Sequence, residues 1–323
     1  MSSNSTKTAS PLLVIIAFAI VYLVWGSTYF FIRLAEQGGM PPYLLGALRF
    51  ITAGLLLMGW CVIKKEKIFV LKDIASAAVT GILLLFGGIG TVIMAERTLP
   101  SGMVAILVSS APIWFVVLDK PNWAINFNSK ATIIGLIIGF GGVMLLFSEQ
   151  IGHVFSGTGG SSILIWMVLL LLGSISWSAG SLYAKHKSSS VSGSVSTAWQ
   201  MIAGGIIYIP AALFHGEFSH LNMQAIHPMS WLALLYLVVF GSIAAYTAYV
   251  WLLQVRPATQ VSTYAYVNPV IAVILGMVFA GEHISLTQIA GLVVILTSVL
   301  LLNLAKYRAK VVKVGRVAEV EKV

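Results

Sequence analysis

The chain has 323 residues, 59% of them hydrophobic and 9% charged, with a mean hydropathy of +0.96 and a formal net charge of +9. Soluble globular chains run at about 45–50% apolar and about 25% charged, so this composition excludes a soluble domain and specifies an integral membrane protein. The positive balance does not indicate a nucleic acid partner, because the basic residues lie between apolar runs instead of gathering on one face.

One crossing of the hydrocarbon core needs about 20 apolar residues. Ten stretches qualify as spans: roughly 11–34, 43–63, 73–95, 99–118, 131–148, 163–184, 195–214, 229–251, 257–280 and 286–305. The first run, after Lys7, continues from Leu12 to Ile32 without a small-residue cleavage pattern, so it reads as a retained helix. Placing the N-terminus in the cytoplasm puts 16 of the 19 lysines and arginines on the inside, six of them in the tail after span 10. Loops 149–162, 215–228 and 281–285, on the opposite side, carry no Lys or Arg at all. The fold class expected is therefore all-α, with ten transmembrane helices and both termini cytoplasmic.

Spans 4 and 9 stand out. Span 9 carries Gln260, Ser262, Thr263, Tyr264, Tyr266 and Asn268 and then Pro269, which predicts a polar-lined helix kinked near Tyr266–Pro269. Pro100 and Pro112 of span 4 answer Pro257 and Pro269 at one offset of 157 residues. Trp25 answers Trp177, Phe86-Gly87 answers Phe240-Gly241, and Gly135-Leu136 answers Gly291-Leu292. The chain thus reads as a segment 1–10, a five-helix repeat 11–148, a second repeat 163–305, and a basic tail 306–323. An odd number of spans per repeat inverts the second copy, so spans 4 and 9 run antiparallel. Asp119-Lys120-Pro121-Asn122 cuts span 4 shorter than its mate.

The strings W-G-S-T-Y-F in span 1, L-R-F-I-T-A-G in span 2, A-P-I-W in span 4, Y-V-N-P-V in span 9 and G-E-H-I-S-L-T-Q before span 10 come in a telling order. Together they resemble the EamA-type members of the drug/metabolite transporter superfamily, over essentially all of 11–305. The resemblance implies a permease of the bacterial inner (plasma) membrane, commonly an exporter of amino acids, other small metabolites or drugs. It also implies a central cavity lined by spans 1, 3, 4, 6, 8 and 9.

Residues expected to bind substrate are Trp25, Tyr29, Ser109, Trp177, Tyr183, Tyr246, Gln260, Tyr264 and Asn268, with an aromatic belt or packing as the plainer reading of the tryptophans. Tyr264 and Asn268 are four apart and share a face, and Gln260 precedes them by one turn. Hinges are expected at Pro112 and Pro269. Arg49 lies six residues into span 2, roughly 9 Å deep at 1.5 Å per residue. Snorkelling or an ion pair is the favoured reading there, and a ligand for a substrate carboxylate is the other. Glu96 is the carboxyl placed to couple transport to protons, with a solvated pair to Arg97 as the ordinary reading. Ser285-x-x-Gln288 reads as a capping box.

The single cysteine and six scattered histidines offer no disulfide or metal-ligand spacing, and no nucleotide-binding or catalytic motif is present, so no cofactor or catalytic residue is expected. The function expected is secondary active transport. A membrane-embedded enzyme would need paired carboxylates within its spans, and a sensor would need a soluble part. The sequence supplies neither.

Overall fold

The computed structural model describes residues 9–99, 101–146, 148, 161–187, 189–219, 221–280 and 285–302. Most of the N-terminal segment, Pro100 and the whole tail 306–323 lie outside the described residues. The helices in chain order are α1 (Pro11–Gln37), α2 (Pro42–Ile63), α3 (Leu71–Ala95), α4 (Ser101–Val108 and Ala111–Leu118) and α5 (Lys130–Leu146). They continue as α6 (Ser161–His186), α7 (Gly193–Phe214), α8 (Pro228–Val255), α9 (Ala258–Val261 and Tyr264–Ala280) and α10 (Leu286–Leu302).

Local chemistry starts these helices. Prolines open α1, α2 and α8, where a missing N–H costs nothing. The Glu217 carboxylate accepts from the backbone N–H groups of Tyr43 (3.0 Å) and Leu44 (2.8 Å), an anion at the positive end of α2. Ser192 caps α7 by accepting from the Val195 N–H. Ser285 and Gln288 form the reciprocal capping pair at the start of α10.

Among the described residues seven helices are long and apolar enough to cross a membrane: α1, α2, α3, α6, α7, α8 and α9. An eighth is Val104–Leu118 together with Lys120–Phe127, a pair bent by 71°, if the two make one span. α5 and α10 are apolar but shorter. The bend sits at Asp119, whose buried carboxylate accepts from Asn122 Nδ2 (3.1 and 3.0 Å) and meets His186 Nε2 at 3.0 Å. Large aliphatic side chains such as Leu12, Ile63, Leu164 and Leu286 face outward, as a surface solvated by lipid requires.

The packing has a two-fold pattern. α1 packs on α8 and α9, and its counterpart α6 packs on α3 and α4. α2 runs along α7 at the centre, α3 also meets α7, and α8 also meets α2. A Cβ at Gly54 would lie 2.7 Å from Ile202 Cγ1, and one at Gly205 would lie 2.7 Å from Ile51 Cγ1. Backbone atoms follow at 2.8–2.9 Å in each case, so the α2–α7 seam closes only because both positions lack side chains.

Two irregularities repeat. α3 and α8 each contain a π-helical segment, Ile82–Gly88 and Leu237–Ala244. Side chains from neighbouring helices donate to carbonyls within them: Ser176 to Leu83 (2.8 Å), Tyr208 to Leu85 (2.6 Å) and Trp25 Nε1 to Gly241 (3.0 Å). α4 and α9 are each broken at paired hydroxyl residues, Ser109–Ser110 and Ser262–Thr263. The break in α9 thus falls ahead of Tyr266–Pro269, where the kink is expected, and the second part of α9 runs through Pro269. Proline removes the N–H that would bond the carbonyl of Ala265. Ser109 Oγ of α4 lies 2.8 Å from that carbonyl and shares its one proton between it and the carbonyl of Ala105 at 2.7 Å.

Candidate functional site

Side chains from α1, α2, α3, α4, α6 and α9 enclose a cavity of about 60 Å³, counted as the space open to the centre of a water molecule. A water needs about 10–15 Å³ on that measure, so the cavity holds a handful of waters or one small group. It lies toward the end of the bundle where α1 finishes. α8, expected among the walls, contributes no lining residue, and α2 enters through Arg49.

The aromatic wall is built around Trp25. Its ring meets Trp177 edge-on at 5.4 Å between centroids, Tyr264 edge-on at 4.9 Å, and Tyr249 at 4.9 Å. Trp177 Nε1 donates to the Tyr249 hydroxyl (3.0 Å), which also meets Ser181 Oγ at 2.6 Å. Trp25 and Trp177 are both buried, so neither serves in an aromatic belt. Tyr29, Tyr264 and Asn268 complete the expected residues that reach the cavity.

Arg49 overturns its expected reading. It is 3% exposed and does not snorkel. Among the described residues no salt bridge joins it to a carboxylate. Nε donates to Ser242 Oγ at 2.9 Å, the guanidinium carbon lies 4.8 Å from the Phe50 ring centroid, and Nη1 is buried without a partner. Gly241 makes the room, since a Cβ there would lie 3.0 Å from Nη2. Burying an ion with so few partners costs several kcal/mol. Asn268 Oδ1 is likewise buried without a partner in the same cavity.

Other expected residues do not reach the cavity. Ser109 is committed to the carbonyls of Ala105 (2.7 Å) and Ala265. Tyr246 donates to Gln200 Oε1 at 2.7 Å, behind Trp177. Tyr183 lies six residues beyond Trp177, whereas Tyr29 lies four beyond Trp25. Six residues is about one and two-thirds turns and rotates Tyr183 off the shared face, where Ser76 Oγ donates to its hydroxyl (3.3 Å). Gln260 precedes the break in α9, so the helical phase linking it to Tyr264 does not carry through. Glu96, just past the end of α3, is not a solvated loop residue: both carboxylate oxygens are buried without a hydrogen bond. Burial, reinforced by Glu36 and opposed by Arg33, raises its carboxyl well above the usual carboxylate range. Thr28 and Ser242 escaped the sequence reading. Ser242 follows Phe240-Gly241, whose counterpart Phe86-Gly87 is followed by Gly88, and that departure from the repeat is the available signal.

A second pocket lies at the opposite end of the bundle, between α3, α6, α7 and α8, and includes Ser76, Thr80, Lys185, Gln200 and Gln254. Lys185 Nζ donates to the carbonyls of Leu253 and Arg256 (2.8 Å to the latter) and ties α6 to the end of α8. Along α6 the cavity residues end at Trp177 and the pocket residues begin at Ala184, with Ser181 and its Tyr249 contact between them.

The described residues form an all-helical bundle of apolar helices with paired irregularities and an aromatic-walled cavity, the architecture of a multi-pass membrane protein. The sequence profile of the EamA-like transporter family matches residues 12–148 and again 164–304, and the chain belongs to that family. It is 37% identical over 294 residues to the inner membrane transporter YedA of Escherichia coli (strain K12), spanning 90% of each chain. It is 27% identical over 312 residues to the transporter YvbV of Bacillus subtilis (strain 168), spanning 96% of each. A crystal structure 17% identical in sequence shares the fold at a TM-score of 0.71, over 93% of this chain and 99% of the other. The protein is a multi-pass transporter of the inner membrane.

Proposed function

We propose that the chain is a secondary active transporter that exports amino acids or other small metabolites by alternating access. In this reading the helices make ten crossings as two inverted repeats, 11–148 and 163–305, with both termini in the cytoplasm. The cavity opens to the outside and the second pocket to the cytoplasm. The cluster of Trp25, Trp177, Tyr249 and Tyr264 closes the path between them.

The observation that carries the reading is the placement of the cavity. Residues of both family-matched segments wall it, beside the paired breaks of α4 and α9. Broken helices lining a cavity between repeats are the construction through which transporters bind at the midplane. Pro112 and Pro269 act as hinges, and Trp25, Tyr29, Trp177, Tyr264 and Asn268 contact the substrate. Ser109, Tyr183, Tyr246 and Gln260 brace the helices that move. Arg49 of the first segment lines the cavity and Gln200 of the second lines the other pocket. No nucleotide-binding motif is present, so a proton or metabolite gradient drives the cycle.

The test is purified protein in liposomes loaded with labelled amino acids, with and without an imposed proton gradient. Saturable counterflow supports the proposal. Failure to move any labelled metabolite under any gradient contradicts it.

A further inference from the structure

The segment that follows α4 takes no part in the transport cycle proposed above. Lys120–Phe127 is bent by 71° from Val104–Leu118, so it runs nearly crosswise to α4. From Ser101 to Leu118, α4 is about 27 Å long at 1.5 Å per residue, close to the ~30 Å of a hydrocarbon core. A segment set crosswise at its end follows the membrane face.

The polarity of this segment is the reverse of what water imposes. Trp123, Ile125 and Phe127 are 42%, 60% and 49% exposed, whereas Asn126 is 2% exposed. A surface helix in water hides its apolar side chains and shows its polar ones. Trp123 Nε1 donates to the carbonyl of Val117 at 2.9 Å, so the ring can leave water without stranding its N–H. The Trp123 and Phe127 rings, one turn apart, meet edge-on at 6.0 Å. Lys120 and Lys130 are exposed at either end, and no acidic residue lies between them. The neighbouring carboxylate of Asp119 is turned inward, onto Asn122 and His186.

We propose that Lys120–Phe127 lies in the plane of the bilayer and docks on acidic phospholipid. Trp123, Ile125 and Phe127 insert beneath the headgroups, and Lys120 and Lys130 lie against the phosphates. This rests on α4 crossing the membrane, and in the topology proposed above the leaflet is the cytoplasmic one. An apolar layer under an anionic rim matches the segment, whose apolar side chains sit between two outward lysines.

Spin labelling of the full chain tests this, in a Cys61→Ala background and in phosphatidylcholine vesicles with or without phosphatidylglycerol. A nitroxide on Ile125→Cys should collide more with oxygen than with a water-soluble nickel chelate, at a depth of about 5–10 Å into the headgroup and acyl boundary. One on Ile113→Cys, within α4, should lie deeper, and one on the exposed Ser189→Cys should report water. Phosphatidylglycerol should move the label at 125 inward, and Lys120→Gln together with Lys130→Gln should abolish that shift. Quenching of Trp123 by brominated lipid, read as the difference between wild type and Trp123→Phe, measures the same depth if the cysteine variant folds poorly. Water at 125 with hydrocarbon at 113 overturns the inference and leaves the crossing of α4 standing. Water at both positions removes the crossing, and the inference falls with it. A label at 125 near the bilayer centre makes the bent pair a re-entrant loop, which also overturns the inference. A depth indifferent to phosphatidylglycerol and to the two lysines overturns the assignment to acidic lipid.

Discussion

Ser109 shows how a single hydroxyl does structural work that its sequence context disguises. Read along the chain it is a polar residue in a cavity helix. In space its Oγ shares its one proton between the carbonyl of Ala105 and the one that Pro269 leaves without a partner on α9. Ser109→Ala should therefore cost about 1–3 kcal/mol, the penalty for stranding a buried acceptor. Thermal or denaturant unfolding in detergent measures it, and a change below about 0.5 kcal/mol would show that the carbonyl finds other company. Glu96 makes a prediction with a sign. Its carboxyl is raised in the folded state, so the folded protein binds that proton more tightly than the unfolded chain does. The stabilisation is fully present below the ordinary glutamate range and is lost as pH rises through the raised value. Glu96→Gln should then be more stable than wild type at alkaline pH, with the difference vanishing toward pH ~4. Melting temperature against pH for both proteins reads this directly, and a constant difference would refute it. Arg49 marks the limit of reading residues from sequence. Its depth below the helix end is consistent with snorkelling, and only the packing of α8 across it, with Gly241 and Ser242 at the contact, seals it in. That contact joins residues 193 positions apart, and no local pattern encodes it.

At the scale of elements, the apolar runs and the Ser285–Gln288 start of α10 were legible, because crossing length and helix capping are local properties. The short, sharply ended α4 was legible from Asp119 and Pro121 for the same reason. The π-helical segments of α3 and α8 were not, since their carbonyls are met by side chains from α1, α6 and α7. Nor was the position of the break in α9. A proline announces a lost donor but does not say whether another helix will meet the vacant acceptor. The same argument explains the mixed fate of the expected site. Trp25, Trp177, Tyr264 and Asn268 lie at corresponding depths of facing helices and converge, whereas Tyr183 and Gln260 depended on a helical phase that six residues or a break changes. Pro269→Ala tests the hinge assigned to α9. Restoring the N–H stiffens the helix, so transport should fall several-fold while the melting temperature holds or rises. Proteoliposome flux together with thermal unfolding separates this outcome from simple damage, in which both would fall.

For the whole molecule, the pairing of helices matters more than any one of them. α1 with α8 and α9, and α6 with α3 and α4, form two similar bodies on either side of the α2–α7 seam. The cavity lies toward one end of the bundle and the second pocket toward the other, with aromatic rings between them. The account holds that these two spaces open to opposite faces of the membrane and never together. Cys61 is the single cysteine and is buried, so a Cys61→Ala background is clean for labelling. Ile89→Cys then reports on the cavity and Ser76→Cys on the second pocket. A membrane-impermeant maleimide should modify the Ile89→Cys protein from the outer face alone and the Ser76→Cys protein from the cytoplasmic face alone. In the double variant, a bulky adduct formed first at position 89 should suppress reaction at position 76. Reaction of both positions from one face, or reaction at 76 that is indifferent to the adduct at 89, would contradict alternating access through this cavity.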